Sequence, residues 1–253
     1  MDKKQVRAWW PRSPHPGNFG DILTPIILDK MYGVQAVFTL PPFREPTLFG
    51  VGSIVQRAES NTVIWGSGLI DSGAPVKRDA TYLAVRGPRT YEILKSRRVD
   101  CPRVFGDPAL LLPVVYNQEV EETYEYGIFP HYVDYEMVSK WYQDDESVLV
   151  INPLNADACA VIDQVRSCKA IVSSSLHGII CAHAYGIPAV WVKHSDKLSG
   201  DDIKFHDYYE AMGMRAVVTQ FRQKQPLDDL DYRLRGDINL AGLITTLDSY
   251  IGE

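Results

Sequence analysis

Residues 169–192 read as one strand–turn–helix–strand unit, and a chain built on such units folds as a parallel α/β protein. Lys169-Ala170-Ile171-Val172 is a short β-branched run, and Ser173-Ser174-Ser175 is a turn made wholly of hydroxyls. An apolar segment of helical length follows His177, Gly186-Ile187-Pro188 stops it, and Ala189-Val190-Trp191-Val192 resumes as a strand. His177 falls where the helix begins, beside unpaired N–H groups and the positive end of the helix dipole. That is an anion cradle with a titratable imidazole next to it, at the carboxyl edge of a parallel sheet.

The same rhythm runs through both halves of the chain. Strands are predicted over residues 5–10, 47–53, 62–68 and 82–88, and helices over 19–31 and 89–96, with Pro88 suited to the first position of the latter. Residues 116–123 are the most polar interval and predict a linker, dividing the chain into 1–118 and 119–253. Beyond it come strands over 126–130 and 147–151, helices over 134–141 and 157–167, the serine–histidine unit, and a late strand over 216–219. A closing helix over 237–251 places Leu240, Leu243, Ile244, Leu247 and Ile251 on one face and is assigned to the second domain. The fold class is therefore α/β, two Rossmann-like domains facing across a cleft.

Composition limits the partners. The 253 residues suffice for two compact domains of about 120 residues each, and 45% hydrophobic content supplies their cores. A net charge of −6, with both signs scattered, argues against general nucleic-acid binding. No apolar run approaches the roughly 20 residues of a membrane span, and the first residues carry no export signature, so a cytoplasmic protein is expected. Cys101, Cys159, Cys168 and Cys181 lack the paired spacing of a zinc site and are read as reduced thiols, Cys159 and Cys181 in the core.

Several residues stand where chemistry and architecture compete. Gly17-Asn18-Phe19-Gly20-Asp21 opens the first helix, and Asp21 reads equally as a helix cap or as a hydroxyl ligand. Arg86 ends a strand just before a helix, where a guanidinium suits a carboxylate or phosphate, or else lies on the surface. Asp107, in Gly106-Asp107-Pro108, reads as a turn or cap residue. His131 ends the first strand of the second half, at the ligand edge of an open sheet. His183 reads as a packed core histidine, and His15, His194 and His206 as single residues in polar loops. Residues 204–209 mix charge with aromatic rings and read as a lid, an acceptor surface or a solvated loop. No set of His, Cys or carboxylate residues has metal-ligand spacing, so no metal is assigned.

Five segments taken in order resemble the polysaccharide pyruvyl transferase family. They are residues 17–21, 85–90 and 106–111, then Pro130-His131-Tyr132-Val133-Asp134, and Ser173 through Pro188; Lys204-Phe205 and Asp207-Tyr208-Tyr209 extend the likeness to the exopolysaccharide branch. The resemblance implies a fold similar to GT-B glycosyltransferases. It also implies transfer of a pyruvyl unit from phosphoenolpyruvate to a sugar of a polysaccharide or lipid-linked precursor, leaving a cyclic ketal. Phosphoenolpyruvate is then a substrate, no cofactor is required, and a lipid-linked acceptor implies peripheral contact with a membrane face. Many members carry arginine two residues before the motif histidine; here that position is Ser175, which passes anion charge to Arg86 or Lys204.

On this reading His177 is the acid, Asp21 and His131 orient or deprotonate the acceptor, and Asn18 binds substrate. Arg86, Lys204 and the Ser173, Ser174, Ser175 turn hold the donor anion. Two other readings compete. A GT-B glycosyltransferase using a nucleotide sugar would need Asp196 or Asp201 on a ribose, and a sugar- or phosphate-sensing module would need no catalytic histidine.

Overall fold

The computed structural model describes residues 3–14 and 17–252. Five strands form the first sheet: β1 (Gln5–Ala8), β2 (Gln35–Phe38), β3 (Thr47–Phe49), β4 (Thr62–Trp65) and β5 (Thr81–Ala84). Their order is β2-β1-β3-β4-β5, and every pair is parallel. The second sheet holds β6 (Tyr124–Phe129), β7 (Val148–Val150), β8 (Cys168–Ser173), β9 (Ala189–Lys193) and β10 (Val218–Gln220). Its order, β10-β9-β8-β6-β7, is the first sheet's order repeated and read from the other end, again with parallel pairing throughout. The chain is thus two Rossmann-like α/β halves that face one another.

Helices α1 (Leu23–Tyr32), α2 (Pro88–Ser96) and α3 (Leu112–Val115) belong to the first half, and α4 (Tyr135–Tyr142), α5 (Ala158–Arg166), α6 (Leu176–Ala184) and α7 (Ile203–Ala211) to the second. Local chemistry sets their ends. Gly33 closes α1 in the left-handed region, φ 62°, and its amide reaches back to the Asp29 and Leu28 carbonyls. The Asp157 carboxylate opens α5 by accepting from the Cys159 and Ala160 amides. Helix α6 is buried over its first eight residues, so it runs through the core instead of along the surface.

One apolar core joins the halves. Phe19 packs on Phe129 with ring centroids 5.7 Å apart, and its amide donates to the Pro153 carbonyl at 2.8 Å. Helix α8 (Ala241–Gly252) corrects the expectation that it belongs to the second domain. It crosses back to the first sheet, where the buried Trp65 indole donates to the Leu243 carbonyl at 2.7 Å, and Leu243 and Leu247 are fully buried.

Several further expectations change, while that for His183 holds. Residues 204–209 are helix α7 with Phe205, Asp207, Tyr208 and Tyr209 buried, because the rings face the core and not solvent. Strand β2 was not anticipated, and residues 18–22 form a turn before α1, with the Asp21 amide donating to the Asn18 carbonyl. His183 is a core histidine, bonded to the Tyr208 hydroxyl at 3.1 Å and the Arg233 carbonyl at 3.0 Å. His194 lies in the loop just after β9 but is buried, and His206 is helical; His15 lies outside the described residues. Cys181 is buried, whereas Cys159 is partly exposed. No helix among the described residues is long and apolar enough to cross a membrane.

Candidate active site

Each sheet reverses its strand order once, between β1 and β3 in the first and between β6 and β8 in the second. Loops leaving the carboxyl ends at such a reversal diverge and open a crevice. The two crevices face each other here. Asn18 and Asp21 follow β1, Ser53 follows β3, His131 follows β6, Ser175 and His177 follow β8, and Lys204 stands on α7. All seven line one cavity of about 150 Å³.

Each side chain is held by local chemistry. The Asn18 amide side chain donates to the Asp21 carboxylate and accepts from the Gly20 amide at 3.2 Å, so the turn fixes Asp21 in place. Gly20 is required there: a Cβ would come within 2.0 Å of His177 Nδ1. His131 is set by its backbone amide, which donates to the Ser174 hydroxyl at 2.8 Å. Ser175 is the residue before α6, and its side chain makes no capping bond, so the hydroxyl is available to a ligand at the helix N-terminus.

Burial tunes the charges. The Asp21 carboxyl is pushed up to about 6 by desolvation, against the opposing pull of His177. His131 is pushed down to about 4, first by burial and then by the Lys204 charge, so it is neutral at physiological pH. Lys204 is lowered to about 8 by burial and by the like charge of Arg86. At neutral pH the cavity therefore holds one ammonium, one neutral imidazole from His131 and one carboxylate close to its titration range.

Three expected anion ligands sit elsewhere. The Arg86 guanidinium is fully buried behind the wall: Nη1 donates to Ser53 Oγ at 2.8 Å, Nη2 to the Leu69 carbonyl at 3.0 Å, and Nε pairs with Asp207 Oδ2 at 3.3 Å. Its charge is already met, so it reaches the cavity through Ser53 and does not touch a ligand there. Ser173 is also buried, with its hydroxyl shared between the Phe129 and Ser175 carbonyls at 2.7 and 2.8 Å. Ser174 holds His131, so of the three serines Ser175 faces the cavity.

Asp107 gains a role that sequence did not reveal. Its Oδ1 accepts from the Ala109 amide at 3.0 Å, the cap that Asp-Pro predicts, while Oδ2 lies 3.8 Å from His177 Nε2. The available signal was position: Val85 and Phe105 form a parallel bridge beside β5, which brings Gly106-Asp107-Pro108 to the same sheet edge as the other loops. Asp196 and Asp201, which a nucleotide reading would need, are engaged by Arg222 and by Ser72 and do not line the cavity.

This arrangement can hold a small anion on Lys204, Ser175 and the α6 amides, with a histidine and a carboxylate at its side for proton transfer. Known proteins resemble this chain. The uncharacterized protein L143 of Acanthamoeba polyphaga mimivirus is 43% identical over 173 residues, 65% of this chain and 59% of that protein. Succinoglycan biosynthesis protein ExoV of Rhizobium meliloti (strain 1021) is 28% identical over 227 residues, 83% of this chain and 66% of that protein. The chain thus spans 59% and 66% of the lengths of these two curated relatives. A functionally uncharacterized protein of Klebsiella pneumoniae subsp. pneumoniae NTUH-K2044, of known structure, aligns at 16% identity with a TM-score of 0.49, covering 82% of this chain and 87% of that one. The family model for polysaccharide pyruvyl transferase matches residues 18–196, a span holding every cavity residue named above except Lys204, and the chain belongs to that family.

Proposed function

We propose that the protein transfers a pyruvyl unit from phosphoenolpyruvate to two hydroxyls of a sugar in a polysaccharide or its precursor. The observation that carries this reading is the meeting of Lys204, Ser175, His177 and Asp21 in one cavity between the two crevices. Family membership and the likeness to ExoV, a succinoglycan biosynthesis protein, support it.

The donor carries a carboxylate and a phosphate. Lys204 and the α6 N-terminus with Ser175 supply a cation and oriented N–H and O–H donors for them. Protonated His177 gives its proton to the methylene carbon, C2 becomes electron-poor, and one sugar hydroxyl adds there as Asp21 takes its proton. A second hydroxyl then displaces phosphate and closes the ketal; its proton returns to the imidazole, and the proton held by Asp21 leaves with the phosphate. Neutral His131 orients the acceptor. Lys204 and the α6 amides carry the counter-charge, so no metal is assigned and turnover is expected to survive EDTA.

A cavity of about 150 Å³ suits the donor but leaves little room for a sugar. A groove of about 560 Å³ adjoins it through Pro11, Ser53 and Ile54, and offers the Trp9 and Phe43 rings with Gln56 and Glu59. Aromatic faces flanked by hydrogen-bonding side chains suit a sugar ring, and the acceptor is assigned to this groove.

The test is phosphate release from phosphoenolpyruvate across a panel of synthetic and lipid-linked glycosides. Release that depends on a vicinal or 1,3-diol acceptor is expected, and His177→Gln should lower it on the order of 10²–10⁴-fold while leaving the fold intact. Thermal stabilisation by nucleotide sugars, and none by phosphoenolpyruvate, would overturn the reading.

A further inference from the structure

Two buried polar atoms face one another across the seam between the halves, and neither has another partner. They are Oδ2 of Asp107, from the first half, and Nε2 of His177, from the second. Asp107 is fully buried, and His177 is nearly so. A buried carboxylate oxygen left without a donor is costly, and natural structures keep one where it serves the site. Cap geometry alone does not account for it, since the Ala109 amide occupies Oδ1 and leaves Oδ2 free. The separation of 3.8 Å is ion-pair distance, and a small shift between the halves brings it to hydrogen-bond length.

We propose that Asp107 is a positioning residue for His177, holding Nε2 in the N–H form so that the Nδ1 edge works in the cavity. The inference rests on the pyruvyl-transfer reading, in which His177 is the acid. Geometry favours this assignment of the edges. His177 lines the cavity, and of its two ring nitrogens Nε2 is the buried one without a hydrogen-bond partner, whereas Nδ1 lies beside Gly20, where no side chain is tolerated. A carboxylate accepts from Nε2–H in both the neutral ring and the imidazolium. Proton gain and loss is thereby confined to Nδ1, and the imidazolium formed in each cycle is met by a fixed negative charge.

Asp107→Asn separates this role from capping. The amide oxygen can still accept from Ala109, but the remaining NH2 then points at Nε2 and donates, which imposes the opposite tautomer. The expected result is a fall in kcat on the order of 10²–10⁴-fold with the KM for phosphoenolpyruvate changed less than about threefold, and unchanged thermal stability. In a His177→Gln background the same substitution should cost nothing further, because residues acting as a unit are not additive. Nitrogen NMR of the neutral His177 ring gives a readout independent of turnover: Nε2 protonated in the wild type, Nδ1 protonated in Asp107→Asn. Wild-type turnover in Asp107→Asn, an equal further loss in the double variant, or the same tautomer in both proteins would overturn the proposal. If the wild type shows no turnover with phosphoenolpyruvate, the functional reading fails, and the NMR comparison still decides the pairing.

Discussion

The Thr90 hydroxyl donates to Asp207 Oδ2 over 2.7 Å, and the Thr90 amide donates to Oδ1 over 2.9 Å, across the seam between the two halves. Asp207 stands on α7 and Thr90 in the first turn of α2, so a carboxylate from one half meets the helix N-terminus of the other. Oδ2 also faces Arg86 Nε at 3.3 Å. Gly87 makes the approach possible, since a Cβ there would come within 2.0 Å of the Asp207 carbonyl.

Removing this carboxylate should unsettle the whole molecule. Asp207→Ala leaves the fully buried Arg86 charge without its partner and the Thr90 donors unmet. Urea unfolding is expected to show a loss on the order of 3–5 kcal/mol. A loss under about 1 kcal/mol would mean that the pair is dispensable to the fold.

On the proposed reading, Lys204 should set how donor use depends on pH. Its ammonium is lowered to about 8, and the cation is lost as pH rises through that value. The kcat/KM for phosphoenolpyruvate should therefore fall above about pH 8, because this ratio reports groups of the free enzyme. Lys204→Arg keeps its charge, so the affinity for phosphoenolpyruvate should stop falling above about pH 8 even if overall rate suffers, and Lys204→Met should abolish saturation by the donor. Retention of the limb in Lys204→Arg would assign it to another group.

Burial of Asp21 should make stability depend on pH. Its folded-state value of about 6 lies above the ordinary 3.8, so the folded state favours the protonated carboxyl. The corresponding stability is complete below about pH 4 and is lost as pH rises through about 6. Asp21→Asn is neutral at every pH, and at pH 8 it should be more stable than wild type by on the order of 2 kcal/mol. The gap should close at pH 4, and the variant should release little phosphate. Equal melting temperatures at both pH values would show that desolvation of this group is not what burial suggests.

The alternation of strands and helices was legible because period, glycine-bounded turns and helix stops are local signals. Partners in space were not. Leu243 and Leu247 marked an apolar face on α8, but nothing nearby in the chain says that the face belongs on Trp65. Helix α7 was missed because its lysine, histidine and aspartate interrupt the apolar pattern, while Lys204 and Asp207 are buried against partners far away in sequence. Arg86 illustrates the same limit within the site. A guanidinium at a strand end suits an anion, and here that anion is Asp207 of the same chain and not a ligand. Asp107 showed its capping bond in the Asp-Pro pair, whereas its contact with His177 spans 3.8 Å between halves.

The return of α8 to the first sheet means that the peptide crosses the seam twice, once on the way out and once on the way back. The division at 118/119 is consequently not a place to cut. A fragment ending there would present the bare Trp65 face to water, and its complement would carry an apolar helix with nothing to cover. Supplied together, the two pieces should find each other as a split protein does, each completing the surface that the other lacks.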